Sequence, residues 1–349
     1  MQTTFSAEQL ANPDMRESEQ AIRKCVHVGF CLATCPTYLL LRDELDSPRG
    51  RIYLMKDMLE NNRKPTPEVV KHIDRCLSDL ACMTTCPSGV HYGHLVDHAR
   101  AYIEKNYKRP LPERLTRKML ATVVPRPWLF RLSLTGAAAG RPFARLMGER
   151  LRPMLRLAPK RLHGPSPVDR PQVHRAQGPR RMRVALLTGC AQQVIAPQIN
   201  EATVRLLTRL GCDVVVAKGM GCCGALTHHM GMEEESLPFM RRNIAAWTGE
   251  MDGEGLDVIV INASGCGTTV KDYGFILRNE PEWAEKAARV AAITRDVSEV
   301  LVDLGVAPTG EAHKGLRVAY HSPCSMQHGQ RIREQPKVLL RDAGLAVLD

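Results

Sequence analysis

The 349-residue sequence predicts an α+β multidomain protein: a small all-helical N-terminal domain, then α/β modules with parallel strands, the second of them truncated. Three observations predict it. Two cysteine runs of identical spacing lie within the first hundred residues, in helix-forming surroundings. From Arg183 onward, short apolar runs alternate with amphipathic stretches, the texture of parallel strands joined by crossover helices. Near residue 317 a segment resembling the one at 183 begins again.

The cysteine runs are Cys25-Val-His-Val-Gly-Phe-Cys31-Leu-Ala-Thr-Cys35-Pro36 and Cys76-Leu-Ser-Asp-Leu-Ala-Cys82-Met-Thr-Thr-Cys86-Pro87. Each reads C-x5-C-x3-C-P, the bacterial ferredoxin pattern with its second cysteine replaced, by Val28 in one run and Asp79 in the other. Thiolates at this spacing wrap an iron–sulfur cube, and the cysteine before proline turns away to the other cube, so the two runs form one interlocked site. Zinc is the competing reading, but it expects paired C-x2-C knuckles, which this chain lacks. The twelve cysteines fall in ligand spacings and follow an N-terminus with no basic and apolar leader, so a reducing cytoplasm is expected.

Residues 1–105 are expected to form the helical two-cluster domain. Within it, residues 1–24 read as one helix serving as a lid or spacer. Ser47 should cap a helix begun by Pro48. That helix brings Arg49 and Arg51 near a negatively charged cluster, although solvated arginines are the plainer reading of each. A helix from Pro67 to Leu80, with Val70, Ile73 and Leu77 on one face, should deliver Cys76.

Residues 106–182 read as a basic, proline-chopped bridge of short helices, with 164–172 an extended linker. Between Lys108 and Arg183 stand 19 Lys and Arg against three acids, so the overall charge of +11 is regional. A nucleic-acid partner is not expected, because few aromatics and no recognised module accompany the charge. Phe143, Met147, Leu151 and Leu155 recur at helical spacing, with Arg141, Arg145, Arg152 and Arg156 on another face. That amphipathic stretch suits anionic lipid at the inner face of the membrane, an acidic partner, or the protein's own surface. No run approaches the roughly 20 apolar residues of a membrane span.

Residues 183–310 read as a first α/β module, with strands at 184–188, 213–217 and 257–261 and helices at 200–210 and 233–247. Cys190, Cys222, Cys223 and Cys266 fall at the strand ends, where open α/β sheets bind ligands. Cys212 reads as a small core residue, and His228 and His229 as loop histidines. Arg183-Val-Ala-Leu-Leu-Thr-Gly-Cys190 returns as Arg317-Val-Ala-Tyr-His-Ser-Pro-Cys324, which makes Cys324 a candidate ligand and 311–349 the start of a second module. Its own cysteine pair projects to about 355, past Asp349, so this module is expected to be incomplete.

The spacing Cys190-x31-Cys222-Cys223-Gly224-x41-Cys266-Gly267 resembles the cysteine-rich CCG domain of heterodisulfide reductase and related subunits. Together with the ferredoxin-like runs, Pro-Arg-Gly-Arg-Ile-Tyr-Leu-Met-Lys and Ser-Gly-Cys-Gly, the chain closely resembles the glycolate oxidase iron–sulfur subunit family. The resemblance implies two [4Fe–4S] clusters, one on Cys25, Cys31 and Cys86 and one on Cys76, Cys82 and Cys35, with a further redox centre in the CCG module. Because Val28 and Asp79 stand where that family has cysteine, [3Fe–4S] clusters are the alternative, with Asp79 a candidate oxygen ligand. Thr269 stands where many CCG modules place another cysteine.

The implied function is electron transfer from FAD-binding partner subunits, which oxidise glycolate to glyoxylate, to a quinone or other acceptor. The chain itself would be a non-flavin subunit of the dehydrogenase, not catalytic alone; it has no G-x-G-x-x-G, P-loop or G-x-S-x-G motif. Lactate, glycerol 3-phosphate and heterodisulfide oxidoreductases share the cysteine plan. A scaffold subunit with degraded cluster sites is the alternative of another class.

Overall fold

The computed structural model describes residues 1–143, 151–159, 161–306 and 315–348. It resolves into two compact units. One, the helical unit, comprises Met1–Glu113, Leu226–Ser236 and His321–Arg333; the other, the sheet unit, comprises Arg114–Ala225, Leu237–Tyr320 and Glu334–Asp349.

In the helical unit the first expectation needs correcting. Residues 1–24 form two helices, Ala7–Ala11 and Pro13–Lys24, broken where Asn12 both ends the first and caps the second. The second is a core helix and not a lid: Met15, Ala21 and Ile22 are buried against Met55, Leu59, Ile73 and Leu95. Ser47 caps the helix Pro48–Glu60 by accepting from Gly50 N. The following helix stops at Asp74, short of Cys76, and Leu77 is 67% exposed and off its buried face. Release of the chain there leaves the cysteine run free to take loop conformations. The helix Tyr92–Asn106 completes the core with Leu95, Val96, Ala99 and Ile103.

The sheet unit holds a five-stranded sheet, β1 (Gln172–His174), β2 (Met182–Leu187), β3 (Cys212–Val216), β4 (Val258–Ile261) and β5 (Thr294–Asp296), in the order β1-β3-β2-β4-β5. β3, β2, β4 and β5 are parallel, as expected, and β1 is antiparallel to β3. The segment expected as an extended linker contains a 3-10 turn at Pro167–Asp169 and ends at Gln172, the first residue of the sheet's edge strand. Successive side chains point to opposite faces. Ala185, Leu187, Val215 and Ile259 pack against Trp247 and Tyr273 on one side; Val184, Leu186, Val214 and Val260 pack against Leu207, Val300 and Leu304 on the other. Burial on both faces explains why these strands read as continuous apolar runs. Cys212 is fully buried in β3, as the sequence implies.

Before the sheet run the helices Leu111–Val123, Pro127–Gly140 and Leu151–Leu157. Much of the stretch expected to be amphipathic, including Arg145 and Met147, lies outside the described residues. Strands β6 (Arg317–Ala319) and β7 (Ala346–Leu348) form a separate parallel pair, with the helix Gln335–Asp342 between them in sequence. This is the strand–helix–strand order with which the first module also begins.

Candidate iron–sulfur and cysteine-rich sites

The two runs of the helical unit share one backbone design. Cys25 follows the helix Pro13–Lys24, and the chain then turns left-handed at His27 (φ 56°) and Gly29 (φ 85°). Cys76 follows the helix Pro67–Asp74, and the left-handed residues there are Ser78 (φ 52°) and Leu80 (φ 61°). The residue between each left-handed pair is Val28 or Asp79, so both loops keep their bend although the cysteine is replaced. Three non-glycine residues with positive φ in two short loops represent stored strain, which concentrates at ligand-binding sites. Cys31 then sits in a one-turn helix and Cys82 in the helix Ala81–Thr85; Cys35 and Cys86 stand beside the prolines that close each run.

The thiols gather in two trios. Burial pushes the Cys31 thiol up, and Cys25 and Cys86 add to the effect; with Val28 these three line one pocket. Burial likewise pushes Cys82 up, reinforced by Cys76 and Asp79 and, more weakly, by Cys31 of the first run and by Cys35. Asp79 is half-buried, and burial raises its carboxyl above the usual range. Soft sulfur donors in threes fit iron–sulfur chemistry better than a closed four-ligand zinc site. A bound cluster supplies reversible one-electron chemistry and stabilises the thiolate forms that burial opposes.

Arg51 is not the solvated arginine of the plainer reading: it is 1% exposed. Its Nε donates to the His72 carbonyl at 2.7 Å, Nη2 donates to Thr37 Oγ1 at 3.1 Å and to Asp46 Oδ1 at 3.3 Å, and Nη1 lies 3.9 Å from Cys35 Sγ. Asp46 also meets His72 and Arg75. Burial alone would raise its carboxyl, but these donors hold it below the usual range. Arg49 pairs with Glu44 at 2.6 Å and lies against Gly29.

In the sheet unit β2 is central: the chain goes next to β3 on one side and then crosses to β4 on the other. That reversal is a topological switch point, where loops diverge and leave a crevice beyond the strand ends. Cys190 follows β2, Cys222 and Cys223 follow β3, and Cys266 opens the helix Ser264–Lys271 after β4. The four meet there. Cys223 Sγ lies 3.2 Å from Cys266 Sγ, and Cys190 and Cys222 are hydrogen-bonded through their thiols. Cys190 is held well above its ordinary value by that bond and by burial. The bond to Cys190 pulls Cys222 down, but the Cys223 thiol and burial push it up to about 12.

Two residues without a motif position the turn. Asn243 accepts from Gly221 N at 2.7 Å and donates to the Cys222 carbonyl at 2.9 Å, while the Tyr273 hydroxyl donates to the Cys223 carbonyl at 2.7 Å. Gly224 turns left-handed (φ 84°) to release the chain. Thr269 is buried and its hydroxyl bonds to the Gly265 carbonyl, so it is turned to its own helix. Cys324 is exposed and belongs with the helical unit. His228 and His229 are not loop residues: they end the helix Ala225–His229 and meet Asp97. His328, unmarked in the sequence, has Nδ1 2.6 Å from Thr84 Oγ1.

Fold and cysteine geometry together define an iron–sulfur protein, a helical ferredoxin-like unit combined with a cysteine-rich α/β module. Family comparisons agree: residues 21–90 match a 4Fe-4S dicluster domain and residues 184–271 the CCG cysteine-rich domain. The chain is 43% identical over 343 residues to the glycolate oxidase iron-sulfur subunit of Escherichia coli, covering 98% of this chain and 80% of that protein. It is 33% identical to a probable glycolate oxidase iron-sulfur subunit of Bacillus subtilis, covering 93% and 76%. Lactate utilization protein A of Bacillus licheniformis is 31% identical over 46% of this chain and 65% of its own. No solved structure matches. The chain belongs to the glycolate oxidase iron–sulfur subunit family.

Proposed function

We propose that this chain carries electrons from flavin-bearing partner subunits, which oxidise glycolate to glyoxylate, towards a quinone or another acceptor. The observation that carries the reading is the coexistence of two thiol trios and a four-cysteine cradle in a member of this family. Cys25, Cys31 and Cys86 would hold one cluster, Cys35, Cys76 and Cys82 the other with Asp79 at hand, and Cys190, Cys222, Cys223 and Cys266 a further centre. Cys324, the ligand candidate that the sequence repeat suggests, is exposed and grouped with the helical unit, and is left out of this centre. The chain's own part is to exclude water from these thiols, to fix their spacing through the left-handed loops, and to hold the Cys222–Cys223 turn with Asn243 and Tyr273.

The test is dye reduction by reconstituted complexes offered glycolate, lactate or glycerol 3-phosphate. Glycolate-dependent reduction that Cys223→Ser lowers by an order of magnitude or more is the expected result. Turnover with lactate alone would reassign the complex to a sibling activity. Turnover unchanged by Cys223→Ser and by loss of both trios would favour the scaffold reading, whose support is Val28 and Asp79.

Peripheral contact with the inner membrane belongs to the same proposal. Among the described residues no helix is long and apolar enough to cross a membrane. Leu115, Trp128, Leu132 and Leu157 are nevertheless exposed among the arginines of the bridge. An apolar cavity of about 590 Å³ lies there too, walled by Met119, Val123, Phe130, Leu134, Leu155 and Ile195. Binding to anionic liposomes should exceed binding to neutral ones and weaken as salt rises. Charge reversal at Arg145, Arg152 and Arg156 should remove the difference. Equal binding to both vesicles would refute the electrostatic part.

A further inference from the structure

The helical unit contains a cluster of ligand-type side chains outside the cysteine runs. Asp97, on the helix Tyr92–Asn106, faces His228 and His229. Asp97 Oδ1 lies 3.1 Å from His229 Nδ1, and Asp97 Oδ2 lies 3.5 Å from His228 Nε2. The three donor atoms all fall within 4.8 Å of one another.

We propose that Asp97, His228 and His229 bind one divalent first-row transition cation, at a site independent of the iron–sulfur centres. The separations are the first argument. Ligand atoms about 2.0–2.2 Å from a cation, at tetrahedral or octahedral angles, stand about 3–3.5 Å from each other. The two measured distances, each to a different oxygen of the carboxylate, fall in that range; they are imidazole–carboxylate contacts, the shorter one a hydrogen bond, that a cation would replace. Chemistry is the second argument. Two imidazoles and one carboxylate make an N2O donor set that suits Zn2+ or Fe2+ and is poor for hard cations.

The third argument is that the arrangement is built. Gly231 (φ 75°) packs so tightly on the backbone at Arg100 that no Cβ would fit, and this fixes the end of the histidine helix over Asp97. Arg100, the cationic neighbour on the same helix, stands 3.8 Å from Asp97 Oδ1. Its guanidinium pairs with that carboxylate only at this long range and makes its close contacts with the second cysteine run, donating to the Cys76 carbonyl at 2.6 Å and to Ser78 Oγ at 2.9 Å. A cation at Asp97 would therefore clamp residues 226–236 to the helix whose next turn steadies the Cys76 loop.

The experiment is calorimetric titration of the cluster-loaded full chain with ZnCl2, comparing the wild type with Asp97→Asn and with His228→Gln/His229→Gln. The amide variants keep hydrogen-bonding capacity and remove cation ligands. One saturable equivalent is expected in the wild type, weakened about 100-fold or more in both variants, with iron and acid-labile sulfide unchanged. A variant-independent readout is zinc K-edge absorption of the wild type at one equivalent, which should show nitrogen and oxygen neighbours only. No saturable site, equal affinity in the variants, or sulfur in the zinc shell would each overturn the proposal.

Discussion

Purified anaerobically, the chain is expected to show the EPR signal of oxidised [3Fe–4S] clusters and to lose iron readily in air, and Val28→Cys with Asp79→Cys should convert it to stable cubes. The physical basis is ligand count: each trio offers three thiols, and a fourth iron would hold only water or a harder donor. The structure makes the rescue specific. His27 and Gly29 keep the first loop bent around Val28, and Ser78 and Leu80 do the same around Asp79. Val28 already lines the pocket with Cys25, Cys31 and Cys86. A thiol introduced there needs no rearrangement of the backbone. The two single variants should differ, because Asp79 has an oxygen to offer and Val28 has nothing; Val28→Cys should give the larger gain in air stability. Two ordinary reduced [4Fe–4S] spectra from the unmodified chain would show that three thiolates suffice and that the missing-ligand argument is wrong.

Arg51→Met is expected to destabilise the helical unit by about 3–5 kcal/mol, the cost of leaving a buried partner charge uncompensated. Asp46 is fully buried and would keep only His72 and the partly exposed Arg75. Thr37 and the Cys35 thiol would lose the same donor, so loss of iron should accompany the loss of stability. Lysine should not rescue, since one ammonium cannot span His72, Thr37 and Asp46 as the planar fork does. Acid makes the sign testable. A carboxylate held below its ordinary value contributes stability above the unfolded pKa, near 3.8, and loses it as pH falls through the folded pKa. His72 and Arg75, which lower that carboxyl, remain in the variant, so the Asp46 contribution should be lost in wild type and variant alike as pH falls below about 4, and the gap itself is measured at neutral pH. Anaerobic urea unfolding measures it, and a difference under about 1 kcal/mol would mean that the network is not what holds this loop.

What could be read from residues alone follows from the range of the interactions. Strands β2, β3 and β4 were legible because both faces are buried and Val184–Leu187, Val214–Val216 and Val258–Ile261 run as uninterrupted apolar residues. The cap at Ser47 was legible because capping acts over three residues. β1 was not, since Gln172-Val-His174 carries no pattern of its own and is a strand only because β3 leaves an edge beside it. The cysteines declared themselves by spacing, whereas Asn243 and Tyr273 support them across more than twenty residues and belong to no motif. His228 and His229 looked ordinary for the same reason: their partner, Asp97, stands more than 130 residues earlier.

The helical unit is assembled from three separated stretches, ending with His321–Arg333. During synthesis, therefore, the cysteine runs emerge from the ribosome well before the last pieces of their own unit exist. At about 5–20 residues per second, the interval is on the order of ten seconds or more. Throughout it Thr84 waits for His328, and for the first part of it Asp97 waits for its two histidines, while the thiols of both runs are exposed to oxidants and stray metals. Timing is thus part of the design: for this chain, cluster delivery before residue 333 has been made would load a unit that is not yet closed.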